Sequence, residues 1–233
     1  PTEARRQMEA WVSEARARAM AAAELETEDA FEESQVDVVL DKLDDAKASF
    51  RFPRRAARRG GWWARKLIWA LANLSAALGI APKVLRELSP ISKTGAPVAH
   101  SMATIRPLSI FDDLETVTDS LWLEHTRDKL RTYAGEEQLG ACYEPLALVL
   151  AFVIMAQLRA ALSLHTFIPV ADVRHGYDLA EHDVVRVHTA WAGITGRLWL
   201  RLDSQLRNAR VRVRLGTVAG PARDLHDASI GQG

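Results

Sequence analysis

The chain has 233 residues, enough for one large domain or two small ones with a real hydrophobic core. Its 30 basic and 30 acidic side chains cancel, so net charge selects neither nucleic acid nor a basic partner, and the placement of charge matters more. The single cysteine, Cys142, excludes an intrachain disulfide and a cysteine-based zinc site.

Residues Glu3 to Ala30 predict a long helix of alanine, arginine and glutamate. Its apolar face is thin: Met8, Trp11, Val12, Ala15 and Ala19, then Met20 and Leu25. A helix that buries so little is expected either to lie on another surface or to form a solvated arm. The first thirty residues hold no apolar run of the secretory kind, so a reducing, intracellular setting is expected. From Glu24 to Asp45 ten acidic residues stand against one lysine. Val36, Val39, Leu40, Leu43 and Phe50 within and beyond this run fall at helical spacing, predicting a second amphipathic helix with an acidic outer face.

The sign then reverses. Arg51 to Lys66 carries seven positive charges and no negative one. Pro53 and Gly60-Gly61 break regular structure, so a basic loop precedes a helix from about Trp62 to Leu78, ended by Gly79 and Pro82. On a helical wheel Trp63, Leu67, Leu71, Leu74 and Leu78 share one face, expected to be the core face. Arg65, Lys66 and Asn73 lie opposite, with Trp62 and Trp69 among them. Indoles beside cations suit stacking on single-stranded nucleic acid, a membrane interface or a subunit contact. They equally suit cover by the N-terminal helices.

Residues 89–107 carry three prolines and a glycine and predict a linker between an N-terminal region and a core. Ser109 is expected to cap a helix with the stripe Ile110, Leu114, Val117 and Leu121, running to Tyr133, with Asp112 completing a capping box. The segment from Pro145 to Leu164 organises the expected fold. Every residue from Leu146 to Met155 is apolar, so a helix there is hydrophobic on all sides and must be surrounded. The run falls short of the roughly 20 residues that a bilayer span needs, so a buried central helix is expected and no transmembrane span.

Beyond Pro169 the texture changes. Asp172, His175, Asp178, Glu181, His182, Asp183 and His188 form the one constellation that suggests chemistry. On a helix His175, Asp178 and His182 would share a face, as ligands of a divalent metal do. His182-Asp183 is also similar to the His-Asp doublet of metal-dependent phosphohydrolases, whose further histidine and aspartate have His125 or His165 and Asp224 or Asp227 as counterparts. A polar surface loop accounts for the same residues, and no metal or other cofactor is expected. From Leu198 the pattern shortens to period two: Leu198, Leu200 and Leu202, then Val211, Val213 and Leu215, predicting two strands joined through 203–208. Arg197 to Arg214 holds six arginines and one aspartate, a second basic zone.

The expected fold is mainly α, with a small β element near 197–215, and α+β if both strands form. Its parts are a helical arm (1–50), a basic loop with the Trp-rich helix (51–88), the linker (89–107), a helical core with the β-like segment (108–216) and a tail (217–233). No nucleotide-binding, zinc-protease, calcium-loop or serine-hydrolase motif is present. The expected function is a non-enzymatic assembly subunit of coat, nucleocapsid or packaging type that self-associates and grips nucleic acid. Arg54, Arg55, Arg58, Arg59, Arg65 and Lys66 would hold phosphates, with bases on Trp62 or Trp69. Arg201, Arg210, Arg212 and Arg214 would form a second line. The alternative is a peripheral subunit of a larger protein or membrane complex that docks through the Trp-rich helix. A metal-dependent hydrolase comes third.

Overall fold

The structure, a computed structural model, describes residues 2–27, 30–42, 59–81, 85–92, 105–110, 113–135, 145–164 and 181–225. Within them the chain is mainly α, with a small mixed sheet. Seven helices are described: α1 (Glu3–Leu25), α2 (Glu33–Lys42), α3 (Gly61–Ala77), α4 (Asp113–Ala134), α5 (Pro145–Ala161), α6 (His182–Trp191) and α7 (Gly196–Asn208). The sheet is built from β1 (Leu85–Ser92), β2 (Ile105–Ile110), β3 (Arg210–Leu215), β4 (Val218–Ala219) and β5 (Arg223–Asp224).

The thin face of α1 finds its surface within the chain. Thr2 caps its N-terminus by accepting a hydrogen bond from the Arg5 amide. Val12, Ala15 and Ala19 are buried, the two alanines against Trp199 and Ile194. Alanines at that spacing allow close approach, and α1 lies across α6 and α7. The second cluster of the core joins α2, α3 and α4: Val36, Val39 and Leu40 meet Ile68, Ala72 and Ala76, with Val117 and Leu121 across from them. Of the expected apolar positions of α2, Leu43 and Phe50 lie outside the described residues. Trp122 and Leu198 touch both clusters and make the core continuous.

The sheet runs in the order β2-β1-β3-β4, with β5 pairing β3 as well. β1 is antiparallel to β2 and parallel to β3, with Leu85 opposite Arg210 and Leu88 opposite Val213. The ends of the expected linker are therefore strand residues. Pro90 sits opposite Pro107, a pairing possible because neither proline has an N–H to exchange and Leu88 is the last β1 residue paired to β3. Ser109 belongs to β2, not to a helix cap, and α4 begins at Asp113.

Two further expectations are corrected. The segment 198–202 is part of helix α7, not a strand; only 211–215 lies in one. Alternating leucines suggest period two, but the buried positions include Trp199, Asp203 and Leu206, spaced four and three apart, with Arg201, Ser204 and Gln205 buried beside them. An aspartate at the centre of that stripe hides it from any hydropathy pattern. Helix α5 forms where expected, yet it is not buried. Leu150 and every residue from Phe152 to Met155 are exposed, as are Leu158 and Leu162, so solvent reaches it on all sides.

Candidate functional site

Helix α3 carries the principal surprise. Its buried stripe is Ile68, Ala72, Asn73 and Ala76, and the leucine face expected to be core points outward. Trp63 is 77% exposed and Leu67 61%, and Leu71, Leu74 and Leu78 are exposed too. The polar face packs inward because α2 and the turn before it supply what it needs. The Asn73 side chain clasps the backbone of Phe31, accepting from its amide at 2.9 Å and donating to its carbonyl at 3.0 Å. Trp69 Nε1 donates to the same carbonyl at 2.9 Å. Arg65 bonds Asp37 at 2.6 Å, and Lys66 pairs with Glu33. A buried amide left unpaired costs about 1–3 kcal/mol, and on the inward face of α3 the Asn73 amide and the Phe31 backbone satisfy each other. Asn73 is buried, and both its side-chain oxygen and its side-chain nitrogen are hydrogen-bonded.

The acidic segment and the basic helix thus meet within one chain. At the start of α3, Arg59 is exposed, and Trp62 and Trp63 stand edge to face with ring centres 4.5 Å apart. Lys66 Nζ lies 5.6 Å from the Trp62 ring centre and 5.3 Å from that of Trp69. Arg54, Arg55 and Arg58 lie outside the described residues.

The second basic zone is bound up in ion pairs. Arg201 is buried and donates to Asp119 at 2.9 Å and to Thr118 at 3.0 Å. Arg210 pairs with Asp224, and Arg212 and Arg214 both bond Glu87 across the β1–β3 ladder. Burial pushes the Glu87 carboxyl up, but hydrogen bonds and charge from the two arginines outweigh it and leave its pKa below the usual carboxylate value. Asp203 is 0% exposed and meets three guanidinium groups. Arg16 and Arg186 approach it at 3.0 Å and Arg207 at 2.8 Å. The hydrogen bonds that Arg16 donates to Asp203 raise the Arg16 pKa and tether α1 to α7.

The twelve residues proposed from sequence therefore fall into separate groups. Trp62, Arg65, Lys66 and Trp69 share α3, and Arg59 stands just before it. Arg201, on α7, pairs with Asp119 and Arg210, on β3, with the exposed Asp224, while Arg212 and Arg214, also on β3, both pair with the buried Glu87.

The histidine segment assembles no metal centre among the described residues. His182 is buried, Asp183 bonds Arg186, and His188 Nδ1 lies 2.6 Å from the Tyr133 hydroxyl. Asp172, His175 and Asp178 lie outside the described residues, as do His165 and Asp227. A cleft of about 370 Å³ opens between α3, α4 and the start of α7, with Glu26, Asn73, His125 and Arg197 on its walls. Its polar groups serve the fold. Glu26 accepts from the Arg197 amide at 3.0 Å, and Asn73 holds Phe31. His125, its pKa lowered by burial and then by Lys129, stands edge-on to Phe31.

What sequence reasoning missed is the apolar face itself. Trp63, Leu67, Leu71, Leu74 and Leu78 form the most hydrophobic stripe of the helix, which hydropathy assigns to the core and the structure exposes. The signal that would have found them is the match between the acids of 24–45 and the cations of 51–66, which fixes the opposite face inward. No protein-family model matches the chain, and no curated protein matches it either.

Proposed function

We propose that this chain is a non-enzymatic docking subunit that attaches to a larger protein or membrane assembly through the outer face of α3. One observation carries the reading: a continuous stripe of Trp63, Leu67, Leu71, Leu74 and Leu78 lies in solvent on a helix whose other face is fully engaged. Large contiguous apolar patches are uncommon on free monomers and mark interaction surfaces. The exposed helix α5 adds a second apolar surface of the same kind. Among the described residues no helix is long and apolar enough to cross a membrane.

Nucleic-acid binding through the second basic zone finds less support, because a phosphate would have to displace Asp119, Asp224 and Glu87 from their arginines. The basic segment 51–59 keeps that alternative testable.

The test is a double variant, Leu67→Glu with Leu74→Glu, compared with the parent chain for self-association by light scattering and for vesicle binding. The expected result is association by the parent that the variant loses while keeping its helical circular dichroism. The reading falls if the parent neither self-associates nor binds vesicles, or if the variant behaves like it. Binding of single-stranded RNA with a steep salt slope, unchanged in the leucine variant and flattened when Arg54, Arg55, Arg58 and Arg59 become alanine, would replace it with the nucleic-acid reading.

A further inference from the structure

We infer that a cleft between the last turns of α4 and the end of α6 is a binding site for an organic cation of the quaternary ammonium class. The cleft holds about 490 Å³ and is lined by Asp128, Lys129 and Tyr133 from α4 and by Trp191 from α6, with no residue of α3. That volume falls within the roughly 300–1,000 Å³ of small-ligand clefts. Tyr133 and Trp191 are exposed, and each ring is held from behind. Trp191 makes T-shaped contact with Trp11 of α1, ring centres 5.5 Å apart, and with His188 at 5.1 Å. The Tyr133 hydroxyl lies 2.6 Å from His188 Nδ1, and the two rings are 5.9 Å apart. Three helices thus fix the aromatic walls before any ligand arrives, which spares the cost of ordering them on binding. The faces of such rings carry partial negative charge and attract cations.

The charge of the cleft points the same way. The Asp128 carboxylate is exposed at its wall and has no hydrogen bond or ion pair with another described residue. Helices α4 and α6 both end here, and the carbonyl end of a helix carries partial negative charge. Lys129 is the opposing group, and it is engaged: its Nζ donates to the Gly193 carbonyl at 3.2 Å, just past the end of α6. Asp128 is left to answer a positive charge from outside.

The kind of cation follows from the hydrogen bonds on offer. A primary ammonium brings three N–H donors, and against aromatic walls with a single carboxylate most of them would lose water without gaining an acceptor. A quaternary ammonium has no N–H to satisfy. Its methyl groups rest on the rings while its charge is met by the ring faces and by Asp128. An anion would meet the same carboxylate and the same ring faces as repulsion.

The test titrates choline into the full chain at low salt and follows broadening of the choline methyl NMR signal, a readout that compares variants directly. The blocked amino acid of trimethyllysine, titrated alongside, distinguishes a protein side chain from a free small molecule as the source of the group. The expected result is saturable binding of at least one of the two, about fivefold weaker for the uncharged isostere of choline with tert-butyl in place of trimethylammonium. Trp191→Leu, which keeps an apolar wall but removes the ring, should weaken binding about fivefold. Asp128→Asn should weaken it about threefold, and at an exposed position with no partner to lose it leaves the fold intact. Binding of neither cation, equal binding of the neutral isostere, or affinity unchanged in either variant overturns the inference. Binding of acetate in place of the cations overturns it too and assigns the cleft to Lys129.

Discussion

Adjacent residues on α3 provide the sharpest test of the inverted helix. Ile68 is 3% exposed among Phe31, Val36, Leu40 and Leu121, whereas Leu67, one residue away, is 61% exposed. Truncating a buried isoleucine to alanine removes its transfer energy and leaves a cavity, so Ile68→Ala is expected to cost about 2–5 kcal/mol. A fully buried leucine contributes about 1.5–3 kcal/mol, and Leu67 keeps well under half of its surface from water, so Leu67→Ala should cost no more than about 1 kcal/mol. The better helix propensity of alanine offsets a few tenths of that. The two variants should therefore differ by at least about 1 kcal/mol, or roughly fivefold in the folding equilibrium. Urea unfolding of dilute protein without lipid, followed by far-ultraviolet circular dichroism, measures both midpoints with a common slope. Equal losses, or a larger loss for Leu67→Ala, would refute the assignment of faces and with it the docking surface.

Asp203→Asn should destabilise the fold by about 2 kcal/mol, because the buried carboxylate on which Arg16, Arg186 and Arg207 converge is lost, although Arg186 keeps Asp183; chemical denaturation reads this, and a loss within about 0.5 kcal/mol would contradict the role given to the aspartate. Glu87 has a folded pKa below the ordinary glutamate value of 4.5, so the unfolded chain binds more protons in the acid range. Its contribution is complete above the unfolded value and is lost as pH falls through the folded one. The slope of stability against pH in that window should be smaller in Glu87→Gln, as a series of urea midpoints would register. His125 follows the same sign near its own range: its lowered folded pKa makes stability decline as pH falls below 6.5, and His125→Gln should remove that decline. At the start of α7, Gly196 has φ +62, and a Cβ there would collide with the Glu26 carboxylate that accepts from Arg197. Gly196→Ala is expected to cost about 2 kcal/mol from left-handed backbone and a displaced hydrogen bond, measurable as a lowered urea midpoint.

Much of the architecture could be read from local pattern. Helical spacing predicted α3 to within a few residues and α2 as far as Lys42, the expected continuation to Phe50 lying outside the described residues, and predicted α1 with an end five residues too far along. The stripe Val117 and Leu121 pointed to the packed side of α4. These succeeded because propensity and periodicity act over a few turns and need no partner to be known. The C-terminal helix was misread because its inward stripe is centred on Asp203, whose burial depends on Arg16 and Arg186 from distant parts of the chain.

The sequence by itself determined that α3 and α5 are helices, that α5 is apolar all round, and that cations precede a pair of indoles. It also held the charge complementarity that draws α2 and α3 together. Only the tertiary structure decided which side of α3 faces inward and whether α5 is covered. Hydropathy ranks faces by their affinity for any apolar surroundings, whereas packing selects the face whose hydrogen bonds and charges are met by a specific neighbour. Phe31, Asp37 and Glu33 meet the face bearing Asn73, Trp69, Arg65 and Lys66, and so the leucines are left for another surface.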